Sequence, residues 1–178
     1  MNAENEAYAS LLIDHLRVMA RRLRQIPTDK WDWTPHVAAP TARILAAHAW
    51  QWLICDRQHI DEPDALKHAR IPDPPADAQA MCDVLEEETD RWNEMILALT
   101  PEQLAAPRRQ FNDDFQLDVR WFICHMIQNT IYKNGQLATL YFALEFDGTE
   151  PYTAPFPNPI YEELQSLKAQ DARIITGD

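Results

Sequence analysis

The sequence predicts an all-α fold, a four-helix bundle with a short extra helix near the C-terminus. Three observations carry that expectation. Four long segments repeat apolar residues at the spacing of an amphipathic helix. Only three glycines occur in 178 residues, too few for an all-β chain full of tight turns or for a glycine-rich phosphate loop. The thirteen prolines fall mostly between the periodic segments, where they act as punctuation. The length suits one domain, with residues 1–148 expected to form the bundle and 149–178 an extension that packs on it.

The first helix is expected from about Glu4 to Ile26. Leu11, Leu12, His15, Leu16, Met19 and Leu23 recur on one face, arginines occupy much of the other, and Pro27 ends it. An aromatic loop, Pro27 to Pro40, leads to Thr41, which reads as the N-cap of a second helix reaching about Ile60. Its stripe is Ile44, Leu45, His48, Trp52 and Cys55, and one helical turn is expected after Pro63. The third helix spans about Ala76 to Leu99, with Met81, Leu85, Trp92, Met95, Ile96 and Leu99 inward and one member of Glu86-Glu87-Glu88 turned in. Thr100-Pro101 then opens a short helix, and Pro107 to Leu117 reads as a polar loop. Asp118 caps the last long helix, which is expected to reach about Phe146 and is apolar on more than one side. Asn158-Pro159 starts the short terminal helix.

Charge and cysteine content narrow the function. A formal net charge of −12 repels the phosphate backbone and anionic lipid, so neither a nucleic acid nor a membrane is the expected partner. Cys55, Cys82 and Cys124 form no CxxC pair, and an odd set of free thiols fits a reducing compartment. With no signal peptide or bilayer-length apolar run, the expected location is cytoplasmic.

The most specific stretch is Arg120 to Leu137. His125, Asn129 and Lys133 sit at i, i+4 and i+8 on one slowly drifting helix face, with Gln136 close behind. Polar groups along an apolar helix are costly unless paired or functional. The plain structural reading is that Lys133 reaches solvent and Asn129 bonds a neighbouring helix. Tyr132 is expected to pack.

Several motifs occur in an order that resembles the DinB-like superfamily and its YfiT-like and mycothiol-linked branches. They are Trp31-Asp32-Trp33-Thr34-Pro35, Leu45-Ala46-Ala47-His48, Arg120-Trp121, His125-Met126, Lys133-Asn134-Gly135-Gln136 and Asp147-Gly148. The resemblance covers roughly residues 5–148. It implies a four-helix bundle, commonly dimeric, holding a divalent metal on three histidines. One comes from helix 2 and two, four apart, from the last helix. It also implies thiol-dependent transfer or isomerisation chemistry. Here His48 keeps the helix 2 position, whereas Asn129 and Lys133 stand at the other two. His125, one turn earlier, is not a usual ligand position.

No cofactor is therefore expected. The alternative is zinc or nickel in a rearranged site built from His48, His125 and an acid such as Glu87 or Asp56. The expected role is an interhelical pocket for a small ligand, lined by His48, His125, Asn129, Lys133 and Gln136, or a homodimer interaction. The alternative is a thiol-dependent transferase or hydrolase-like enzyme using a rearranged metal or Lys133, which would stabilise developing negative charge.

Overall fold

A computed structural model describes residues 2–109 and 116–144. The element order is α1 (Ala3–Gln25), α2 (Ala42–Asp61), α3 (Ala78–Ala98), the single turn α4 (Pro101–Leu104), β1 (Pro107–Arg109), β2 (Gln116–Asp118) and α5 (Val119–Ala143), with 3-10 turns at Thr28–Lys30 and Ala65–Lys67. The terminal helix and tail expected beyond residue 144 lie outside the described residues.

Every long helix starts on a side-chain cap that satisfies an otherwise orphaned backbone N–H. Asn2, Thr41, Asp77 and Asp118 each accept from the first turn of their helix. Thr100 and Gln103 form a reciprocal capping box around Pro101. The expected helices and the turn after Pro63 are thus present, with ends shifted by one to three residues.

Four helices close around one core. α1 packs on α3 and α5, and α2 packs on the same two, so the consecutive pair α1 and α2 face each other across the bundle. The long loop between them makes that crossing possible, and Trp31 anchors it. Its indole is buried, the Arg43 guanidinium lies 5.8 Å over the ring, and Arg43 also grips Asp32 at 2.7 Å. Trp92 of α3 is wholly buried and donates its indole N–H to Leu53 O of α2 at 3.0 Å. Asn5 ties the start of α1 to the end of α3 through Ile96 O and Leu99 O. Asn134 of α5 accepts from Arg22 and donates to His15 O, fastening α5 to α1.

Three expectations need correction. Residues read as a polar loop include a short antiparallel pair in which Pro107 faces Asp118 and Arg108 faces Leu117. Leu11 and Ile44, placed on the core stripes, are exposed. Leu45 and Cys55 of the expected α2 stripe are buried, but most of the buried residues lie outside it, at Ala42, Ala46, Ala49, Trp50, Leu53, Asp56, His59 and Ile60, where small alanines let neighbouring helices approach closely. Tyr132 does not pack inward and is 66% exposed. Among the described residues, no helix is long and apolar enough to cross a membrane.

Candidate active site between α2 and α5

α5 carries 25 residues, and between Trp121 and Leu144 its only Lys, Arg, Asp or Glu is Lys133. One side packs on α1 and another on α2. The row read from the sequence lies on the α2 side.

His125 meets Asp56 across that interface. Nδ1 stands 2.5 Å from Asp56 Oδ2, and the Asp56 side chain is only 2% exposed. Burial raises the carboxyl above its ordinary range, and the hydrogen bond from His125 opposes that rise. With Nδ1–H donated to the carboxylate, Nε2 keeps its lone pair in the neutral ring. Two indoles fix the imidazole plane. Trp121 stacks on it at 5.1 Å, and Trp52 meets it edge-on at 5.2 Å.

His48 sits one turn before Trp52 and accepts the indole N–H on Nε2 at 3.1 Å. The acceptor role of Nε2 places the ring proton on Nδ1. Burial first, then the positive charges of Lys133 and His125, lower the pKa of His48. Those couplings place the three groups around one locus.

The structural reading of Asn129 and Lys133 does not hold. Lys133 is 5% exposed and makes no ion pair or hydrogen bond among the described residues, and its pKa is lowered by burial alone. Asn129 Oδ1 is buried without a hydrogen-bond partner. Gln136 is half-buried on the same side of α5.

A cavity of about 290 Å³ opens against His48, Gln51, Trp52, Cys55 and Ile71. Of the locus, His48 and Trp52 line it, and His125, Asn129, Lys133 and Gln136 do not. A larger cleft of about 490 Å³ runs between α1 and α3, past Arg17, Arg21 and Arg24, and contains none of these groups.

The remaining candidates fall elsewhere. Glu87 is exposed on α3 opposite Arg91 at 3.7 Å, so it takes no part in the site. The inward acid of that triplet is Glu88, fully buried and held by Arg57 at 2.5 Å. Cys55 is buried, and desolvation pushes its thiol up to about 11. Cys124 is exposed. Sequence alone offers Asp56 as one of two acids, because helical spacing gives no sign of a partner 69 residues away.

A divalent ion on three imidazoles does not fit this donor set. Of the three positions, one is an imidazole whose Nε2 accepts from Trp52, one is an amide, and one is a buried ammonium that repels a cation. In the rearranged alternative Asp56 binds Nδ1 of His125, which leaves two imidazoles as direct donors. No three His, Cys, Asp or Glu side chains gather as a metal-binding group among the described residues.

No family model and no curated protein sequence matches the chain. Solved structures do. A DinB-like protein of Bacillus subtilis, YjoA, superposes with a TM-score of 0.65 at 18% identity over 84% of this chain and 96% of that one. YfiT of Bacillus subtilis, described as a probable metal-dependent hydrolase with an unusual four-helix bundle topology, gives 0.55 at 13% identity over 80% and 87%. The chain therefore has the fold of the DinB-like and YfiT-like four-helix bundles, carried by a divergent sequence.

Proposed function

We propose that the locus between α2 and α5 is a small-molecule catalytic site of hydrolase-like or thiol-transfer type, with His125 as its general base. The observation that carries this reading is the buried 2.5 Å contact between Asp56 and His125. A carboxylate on Nδ1 fixes the tautomer and ring orientation and stabilises the imidazolium that forms when Nε2 takes a proton. The proton donor is water or a low-molecular-weight thiol poised to attack an electrophilic carbon. Lys133 supplies, from a fixed position, the positive charge that a metal supplies in other sites of this kind. The hydrolase description attached to YfiT agrees with the reaction class.

A panel of small esters and thioesters, with and without added thiol, tests the reading. Turnover is expected, with Asp56→Asn reducing kcat by about tenfold to a hundredfold, as loss of an orienting partner does, while KM changes little. Absence of turnover across the panel, or undiminished turnover in His125→Gln, would sink it.

A second observation favours self-association of the chain. Cys124, Gln128, Ile131, Tyr132, Gly135, Thr139 and Phe142 form one exposed face of α5 without a Lys, Arg, Asp or Glu among them. A chain of net charge −12 meets a second copy with least repulsion where the surface is uncharged, and exposed aromatic patches of this kind mark interfaces. Sedimentation should show a dimer for the wild type and a monomer for Ile131→Glu with unchanged helical content. A monomeric wild type at all concentrations rules the interface out.

A further inference from the structure

Two polar groups one turn apart on the same face of α5 stand beside the general base. Among the described residues, Lys133 is an ammonium with 5% exposure and no carboxylate on it, and Asn129, one turn away on the same face, holds a buried carbonyl oxygen that nothing donates to. Each is expensive on its own: an unpaired buried charge and an unsatisfied buried acceptor both oppose folding. A third group completes the set. His48 is exposed, and with Nε2 occupied by the Trp52 indole N–H its Nδ1–H is a solvent-facing donor with no protein partner among the described residues.

We propose that this site binds a small monocarboxylate bearing a neutral hydroxyl or amide N–H, with Lys133 Nζ and His48 Nδ1–H donating to the carboxylate and Asn129 Oδ1 accepting from the neutral donor. The proposal rests on the catalytic reading above and names its substrate class. One fixed cation with one neutral donor matches a single negative charge. A phosphate dianion needs more positive charge than one lysine and a neutral imidazole provide. The Trp52 indole and Ile71, which line the cavity beside His48, suit an apolar remainder. Lys133 lies close enough to His48 for its positive charge to lower the His48 pKa.

Glycolate, acetate, glycolamide and inorganic phosphate are the probes, titrated into the full chain while the His48 and His125 ring resonances and the Lys133 side-chain resonances are followed by NMR. Glycolate is expected to bind saturably in the millimolar range, more tightly than acetate, which lacks the donor, or glycolamide, which lacks the charge. Lys133→Met should weaken glycolate by at least about tenfold. Asn129→Leu should erase the preference for glycolate over acetate. His125→Gln should abolish turnover and still bind glycolate, so that a failure of the base and a failure of the anion site give different results. Equal binding of glycolamide and glycolate, phosphate binding more tightly than glycolate, or glycolate binding unchanged by Lys133→Met each overturns the proposal.

Discussion

Trp92→Ala is expected to lower the free energy of unfolding by about 3–5 kcal/mol, with a fall in Tm of roughly 6–20 °C for a chain of this size. Two losses add. The indole is fully buried between α3 and α2, so truncation leaves a cavity that two rigid helices cannot collapse. It also removes the donor to Leu53 O, an acceptor in a region closed to water. Trp92→Phe separates the terms, because it restores most of the volume and none of the hydrogen bond. Urea denaturation of the two variants measures both. A loss below about 1 kcal/mol in the alanine variant, the ordinary effect of a surface change, would mean that the α2–α3 contact is not the packed interface described.

Lys133→Met is expected to act in the opposite direction and to stabilise the chain by about 1–3 kcal/mol near neutral pH. The substitution keeps the length of the stem and removes a buried ammonium that has no ion pair among the described residues. The pH dependence identifies the cause. Burial lowers the Lys133 pKa in the folded chain below its ordinary 10.5, so between the folded and unfolded values the unfolded chain binds more protons. Stability of the wild type then rises with pH through that window, and the advantage of the methionine variant shrinks as the pH approaches the unfolded value. A constant advantage at every pH would assign the gain to packing instead. The same variant is expected to lose glycolate, so the costly residue is the one the ligand needs, as expected where stability is traded for a binding site.

The sequence carries the helices in strong local signals. Thr41, Thr100 with Pro101, and Asp118 are caps that act within one turn, and they sit where the periodicity places them. The 3.6-residue period fails where the core face is built of alanine. On α2, Ala42, Ala46 and Ala49 are buried while the bulkier Ile44 is exposed, so hydrophobic size points to the wrong side. The two three-residue strands have no alternation to read, and the first begins on a proline. The candidate site divides along the same line. The i, i+4, i+8 row is legible because one helix contains it. The stack of Trp121 on His125 is an i, i+4 pair within α5, whereas Asp56 on His125, the Trp52 wall and the burial of Lys133 come from contacts between α2 and α5 that no spacing within either helix encodes. Glu88 shows the same limit: the sequence suggests that one of three consecutive glutamates turns inward, and only Arg57 across the groove decides which.

The indoles against His125 have a spectroscopic consequence. Trp121 stacks on the imidazole and Trp52 touches its edge while donating to His48, whereas Trp31 and Trp92 lie deep in the core. Protonation of the imidazole, or an anion arriving beside it, alters the emission of the first pair and leaves the second pair as a steady background. A difference fluorescence spectrum then reads occupancy and charge at the site directly, with no label attached and no substrate turned over.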